Sequence, residues 1–270
     1  MRKKGLSLSP LETRVFAWSQ LNKQRIIRTR DLQKVMAISP KQEANLLTKM
    51  NKSGLAIKIM RGVYLLPSTL PARTWLPSAY YLLAILMQEL KAEYQVTGLA
   101  AFNFHKLSSQ VPNQFTVYNT KISGRKKISK VSFNFIKVNN NRIGDTEIFK
   151  IKDDSGDTNV FISSLTRTIV DAIYDYERFA TIPEAYDWIR ERIRDEKFLK
   201  KLVKGIINYG NISTQRRIGY LLDSLGINFR IISPILRCLN QTNSLIPMIP
   251  GLPIKGENNR KWGVIINGEI

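Results

Sequence analysis

Apolar positions along the first 66 residues fall into short, separately punctuated runs. Ser9-Pro10 marks a helix cap and first turn, and Val15, Phe16, Trp18 and Leu21 follow as an apolar stripe. Ile26-Ile27-Arg28 reads as a short strand. Thr29 then caps a helix over Arg30–Ala37, with Leu32, Val35 and Met36 as core contacts. Ser39-Pro40 opens a third helix that runs to about Ser53, where Gly54 supplies the left-handed stop. Leu55–Met60, the pair Arg61-Gly62 and Val63–Leu66 predict strand, tight turn and strand. Helix, helix, short turn (Met36 to Ser39), helix and hairpin is the order of a winged helix-turn-helix.

Pro67, Pro71 and Pro77 break regular structure and remove backbone donors, which predicts a linker over 69–78. The expected domains are therefore 1–68, the winged helix-turn-helix, and 79–270. In the second, Ser78–Glu93 has the pattern of an amphipathic helix. Tyr94–Thr97 leads as a strand into a helix over Leu99–Leu107. Strands are predicted at Gln114–Tyr118, Val131–Val138, Glu147–Ile151 and Asn159–Ile162, several with period-two alternation. From Ser163 the pattern turns helical, over Ser163–Tyr176, Ile182–Asp195, Glu196–Tyr209 and Ser213–Leu225, and Lys261–Asn267 closes as a strand. The predicted fold class is α+β: an N-terminal winged helix-turn-helix, then a larger mixed α/β domain with a helical C-terminal part.

Charge narrows what this architecture is for. The 270 residues carry 42 Lys+Arg against 21 Asp+Glu, a formal net charge of +21, and a surplus of this size attracts polyanions. Residues 1–70 hold 14 basic and 3 acidic side chains, net +11, whereas 131–200 hold 11 and 13, so the acid-rich stretch is expected to face away from nucleic acid. One cysteine, Cys238, and one histidine, His105, exclude an internal disulfide and a His/Cys zinc site. No apolar run reaches the roughly 20 residues that span a bilayer, and the start lacks a signal-peptide apolar stretch, so a soluble cytoplasmic protein without a membrane partner is expected.

In a winged helix-turn-helix the third helix enters the major groove. Placing Ala44, Leu47 and Met50 inward leaves Lys41, Gln42, Asn45, Thr48 and Lys49 outward. Amides such as Gln42 and Asn45 suit adenine, and lysines suit guanine or phosphate. Ser39, at the helix start, offers a hydroxyl and backbone amides to a phosphate. Lys58 and Arg61 lie on the wing, with Arg61 at its tip, and Arg28 and Arg30 flank the second helix towards the phosphates. The same residues also suit a plain solvated face, or a winged helix that binds protein.

The chain resembles the AbiEi-type antitoxins, the transcriptional-regulator half of type IV toxin–antitoxin systems. The resemblance is carried by Asp31-Leu-Gln-Lys-Val-Met-Ala-Ile-Ser39, Leu46-Leu-Thr-Lys-Met-Asn-Lys-Ser-Gly-Leu55 and Arg61-Gly-Val-Tyr-Leu-Leu-Pro67. Further blocks follow in family order: Val96-Thr-Gly-Leu-Ala-Ala-Phe102, Thr166-Arg-Thr-Ile-Val-Asp171, Arg217-Ile-Gly-Tyr-Leu-Leu-Asp223 and Lys261-Trp-Gly-Val-Ile-Ile-Asn267. It implies a repressor that binds inverted repeats in double-stranded promoter DNA. It also implies a C-terminal domain that counters a nucleotidyltransferase-like toxin, AbiEii, without a stable complex. Lys41, Gln42, Asn45, Lys49 and Arg61 would occupy the DNA-contacting positions.

The larger domain offers no catalytic constellation. His105 lies among apolar residues of a predicted helix and has no nucleophile beside it in the pattern; Cys238 reads as a small buried hydrophobe. Asp145, Glu147 and Lys150, with Asp153, Asp154 and Asp157 nearby, lack the spacing of a metal-nuclease strand and read as a solvated acidic turn. There is no phosphate-loop or dinucleotide motif, so no catalytic residue, metal or cofactor is expected, and the chain reads as a non-enzyme. Two basic runs suggest a second nucleic-acid patch: Arg125, Lys126 and Lys127, read as a loop, and Arg216 and Arg217 at a helix start. For Arg167 the alternative is an ion pair with Asp171, four residues on. Beside the operator-binding reading stand an RNA-binding protein that shields the toxin's RNA substrate and a protein-interaction module.

Overall fold

A computed structural model describes residues 8–70, 75–153, 156–239 and 244–269. The fold is mixed α/β, with eleven α-helices and three sheets among those residues, a helical start preceding the larger α/β part. The first elements are α1 (Pro10–Leu21), β1 (Ile26–Arg28), α2 (Asp31–Met36), α3 (Pro40–Lys52), β2 (Ile57–Met60) and β3 (Val63–Leu65). The strands form an antiparallel sheet in the order β1-β3-β2, with Ile27 opposite Tyr64 and Ile57 opposite Leu65.

Cap chemistry sets the starts of α1 and α3. Ser9 and Glu12 form one capping box and Ser39 and Gln42 another, each followed by a proline in the first turn. Val15, Phe16, Ile27, Leu32, Leu47 and Met50 meet in one core. Leu21 is 85% exposed rather than inward. The buried face of α1 is Glu12, Val15, Phe16 and Ser19, and Leu21 lies about 180° round the helix from Glu12. Val35 is also exposed. Thr29 does not cap α2: Arg30 holds that position at φ 85°, and the Thr29 hydroxyl donates to the Gly62 carbonyl.

The chain continues through α4 (Ala79–Glu89), β4 (Tyr94–Thr97), α5 (Leu99–Phe104), β5 (Gln114–Asn119), β6 (Gly124–Ile128), β7 (Val131–Lys137), β8 (Thr146–Asp153) and β9 (Gly156–Ser163). The six-stranded sheet has the order β6-β7-β5-β4-β9-β8. Helices α6 (Leu165–Tyr174), α7 (Tyr176–Phe179), α8 (Glu184–Arg190), α9 (Glu196–Tyr209), α10 (Ile212–Ser224) and α11 (Phe229–Cys238) follow. Last come β10 (Ile246–Pro247), β11 (Glu257–Asn259) and β12 (Val264–Ile266), a small sheet in the order β10-β12-β11.

Besides the short strands β10 and β11, which no predicted element covers, β6 and α11 depart from the sequence pattern. The basic run expected as a loop is strand β6, whose residues Gly124 to Ile128 pair antiparallel with Phe135 to Val131. Only Ile128 in it is buried, so it carries no period-two apolar signal. Helix α11 is masked in the sequence by Pro234, which removes one N–H; the Ser233 hydroxyl donates to the Arg230 carbonyl that the proline cannot serve.

The chain forms two compact units, divided otherwise than at residues 68 and 79. One takes in Met1–Tyr94, Thr120–Phe135 and Ile148–Val160; the other takes in Gln95–Asn119, Ile136–Glu147 and Phe161–Ile270. Helix α4 belongs to the first because it packs against β2 and buries Tyr81 to Met87 without interruption. The Arg25 guanidinium lies over the rings of Trp75 and Tyr81, at 5.7 and 5.6 Å, so the proline-rich stretch leads back into the same unit. Part of that stretch, 71–74, lies outside the described residues. In the second unit Ile169, Val170 and Ile173 of α6 share a core with Leu202 and Ile206 of α9 and with Trp262. Among the described residues no helix is long and apolar enough to cross a membrane.

Candidate nucleic-acid interface

The angle between α2 and α3 is held by a buried carboxylate. Glu43, 1% exposed, accepts from the backbone N–H of Arg30 at 2.9 Å, from that of Leu32 at 3.0 Å and from the Gln33 amide at 2.8 Å. The two backbone N–H groups are donors that the start of α2 leaves without intrahelical partners, the third donor is the Gln33 side chain, and a carboxylate there also meets the positive end of the helix dipole. Sequence reasoning placed Ala44 inward and overlooked Glu43. The buried stripe is Glu43, Leu46, Leu47 and Met50, and Ala44 is exposed. The clue was spacing: Glu43 stands four residues before Leu47 and seven before Met50.

The outward face of α3 presents Lys41, Gln42, Ala44, Asn45, Thr48 and Lys49, all exposed. Two of them are partly committed. The Gln42 side-chain oxygen accepts from the Ser39 N–H at 2.8 Å, and the Ser39 hydroxyl accepts from the Gln42 N–H at 3.3 Å, so both serve the helix cap. Gln42 therefore keeps its NH₂ outward but cannot offer the free bidentate amide expected of it. Lys49 pairs at 3.3 Å with Glu12, which is 2% exposed. Burial pushes the Glu12 carboxyl up, but hydrogen bonds from Ser9 and Lys49 outweigh that and hold it below its ordinary range. Lys41 and Asn45 are exposed.

The wing is β2, the Arg61-Gly62 turn and β3. Arg61 is exposed at its tip, and Gly62 has φ 76°. A Cβ on Gly62 would stand 2.6 Å from the Thr29 hydroxyl oxygen, and the Thr29 N–H donates to the Gly62 carbonyl at 2.8 Å. The turn is thereby tied to the entry of α2. The Asn51 side chain accepts from the Lys58 N–H at 2.9 Å, joining the end of α3 to β2 and leaving the Lys58 side chain exposed. Arg28, half-exposed, makes a two-pronged ion pair with Glu89 at 3.0 and 2.6 Å, so it is engaged by α4 rather than presented to a phosphate. The Arg30 side chain is exposed.

Strand β6 packs beside β2 in the same unit. Partial burial, and then the nearby Lys58 charge, lower the Lys126 pKa from its ordinary value. Arg125 and Lys127 are exposed on the same strand. The structure thus brings Lys126 of that basic run beside Lys58 of the wing, while strand alternation turns Arg125 and Lys127 to the other face of β6. This unit holds 23 Lys+Arg and 8 Asp+Glu, net +15 of the chain's +21.

The other basic run is not a surface patch. Arg216 and Arg217 are each 4% exposed; Arg216 donates to the Ser244 carbonyl at 3.0 Å and Arg217 to the Pro247 carbonyl at 3.1 Å. Arg217 also lies over the Tyr176 ring at 4.9 Å. They tie α10 to the segment that leads into and forms β10, so they are unavailable to nucleic acid. Arg167 pairs with Asp171 at 2.9 Å, both fully buried, as the four-residue spacing predicts. Arg142 adds a second guanidinium to the same carboxylate at 2.7 Å.

The remaining candidates carry no assembled chemistry. His105 Nε2 lies 2.7 Å from the Ser163 carbonyl. Cys238, the last residue of α11, is exposed, not buried. Asp145 accepts from the Thr166 hydroxyl at 3.3 Å, Glu147 and Asp157 are exposed, and Asp154 and the Asp153 side chain lie outside the described residues. Among the described residues no three of His, Cys, Asp and Glu come together as metal ligands.

No family model matches the sequence, and no curated protein matches it. Among solved structures the chain is similar to the RV2827C protein from Mycobacterium tuberculosis. The TM-score is 0.59 at 13% sequence identity, over 96% of this chain and 92% of that one. At that identity the likeness concerns the fold.

Proposed function

We propose that the protein is a cytoplasmic DNA-binding transcriptional repressor that autoregulates its operon and acts as the antitoxin of a type IV toxin–antitoxin system. The observation that carries the DNA-binding reading is the exposed polar face of α3, held at a set angle to α2 by the buried Glu43 and flanked by a basic wing. A helix locked from behind and polar in front meets the geometric need of a major-groove reader. Asn45 is the base-reading side chain, and Lys41, Lys49, Lys58 and Arg61 contact phosphates. The antitoxin role rests on the resemblance to the AbiEi type. In it a nucleotidyltransferase-like toxin is the functional partner, without a stable complex.

The test is binding to DNA from the protein's own promoter against random duplex competitor, across a salt series. Asn45→Ala should lose about 1–3 kcal/mol of specific affinity and leave non-specific binding unchanged. Arg61→Ala should weaken all sequences alike and reduce the salt slope by about 1. Equal affinity for every duplex, with Asn45→Ala silent, overturns the repressor reading. Preference for single-stranded or structured RNA over promoter DNA would replace it with RNA shielding. For the antitoxin role, the adjacent reading frame should encode a nucleotidyltransferase whose growth arrest is relieved by co-expression of this protein; absence of such a frame, or failure to relieve the arrest, refutes that part alone.

A further inference from the structure

Beyond DNA binding, we infer that the groove between α9 and α11 docks an acidic amphipathic helix of a partner protein. The groove has a volume of about 840 Å³ and is open along the surface of the second unit. Leu199, Val203 and Ile207 form one apolar wall at helical spacing, and Ile227, Ile231 and Pro234 form the other. Leu199 and Val203 are buried at the base, while Ile207, Ile227 and Ile231 remain half-exposed. Pro234 keeps the second wall free of one backbone donor, and the Ser233 hydroxyl serves the carbonyl it leaves.

The rim identifies the occupant. Arg194, Lys200, Lys204 and Arg230 are its cations, and Glu196 is its one carboxylate, already paired with Lys200 at 2.6 Å. An apolar floor under a net positive rim complements a helix with an apolar stripe and acidic flanks. Lys200 and Lys204 stand one turn apart on α9, which matches carboxylates one turn apart on the incoming helix. Opposed rims with cations on both sides suit a rod laid lengthwise better than a single-headed amphiphile.

The probe is a fluorescein-labelled peptide of about 18 residues, five helical turns, with leucines at i, i+3, i+4 and i+7 and glutamates elsewhere. It is titrated into the full-length protein and followed by anisotropy at about 0.15 M salt. Saturable binding is expected, weakened about tenfold by Lys200→Glu/Lys204→Glu, with promoter binding and the far-ultraviolet spectrum unchanged. A peptide of the same composition with its stripe scrambled should bind at least tenfold more weakly. A photo-crosslinker on a leucine position should label 199–207 and 227–234. Equal binding of the scrambled peptide, or labelling confined elsewhere, overturns the inference. So does a groove that takes sodium dodecanoate and excludes the peptide, which would make it a lipid site.

Discussion

Glu43 should be worth far more to the helix-turn-helix than its single charge suggests. Replacing it by alanine removes the acceptor of three donors at once. Leu32 is fully buried, so its N–H has no water to turn to, and losing the carboxylate there costs about 2 kcal/mol. The Arg30 N–H and the Gln33 amide lie nearer solvent and add about 0.5 kcal/mol each. The sum, about 3 kcal/mol, is on the order of a hundredfold in the local opening equilibrium. Glu43→Gln keeps one oxygen and should cost about 1 kcal/mol, about fivefold. Amide hydrogen exchange reads this directly: protection of the Leu32 amide should fall about a hundredfold in the alanine variant and about fivefold in the glutamine variant. Promoter affinity should fall with it, although Glu43 itself is buried away from any duplex. If Glu43→Ala leaves Leu32 protection within about twofold of the parent, the carboxylate is not what sets the angle between α2 and α3.

Other substitutions test the frame around that site. Gly219→Ala would place a Cβ 2.1 Å from the Trp262 ring, so the tryptophan must shift; thermal unfolding should show a loss of about 1–3 kcal/mol. Arg167→Met leaves the buried Asp171 with Arg142 as its one guanidinium, at about 3–5 kcal/mol, a fall in Tm of about 10 °C. Asp223 accepts from Lys261 at 2.6 Å and from the Trp262 indole at 2.8 Å; burial pushes its carboxyl up, but these bonds hold it below the ordinary 3.8. Its folded pKa being depressed, the stabilisation is complete above about pH 4 and is lost as pH falls through the folded value. Urea titrations should therefore show the parent losing stability more steeply than Asp223→Asn below pH 4. Gly62→Ala combines φ 76° with a 2.6 Å approach to Thr29, and should lower both Tm and promoter affinity.

Much of the stretch from α1 to β3 was legible in the sequence because its signals are local. Ser9-Pro10 and Ser39-Pro40 carry their caps within four residues, and Gly54 and Gly62 take the left-handed conformations their positions demand. Local patterns also placed β4 to its residue bounds, and Arg167 with Asp171. Strand β6 was hidden because a strand with one buried residue has no alternation to read. Helix α11 was hidden because a proline in mid-helix reads as a break. Gln42 looked like a reader of bases because the sequence shows an amide, not the backbone N–H it already serves.

By itself, then, the sequence determined the order of elements, the cap residues, the surplus of positive charge and the polar character of α3, all properties of neighbours along the chain. Tertiary structure alone decided which charges are available. Two arginines in tandem, Arg216 and Arg217, are buried under carbonyls of a segment about thirty residues away in sequence, and Arg28 is taken by Glu89, sixty-one residues on. Lys126, by contrast, comes to lie beside Lys58. Composition counts these side chains alike. Only long-range packing separates a cation that satisfies a buried acceptor from one left to meet a polyanion, and it is packing that moved the boundary of the basic unit from residue 68 to take in α4 and the β6–β7 hairpin.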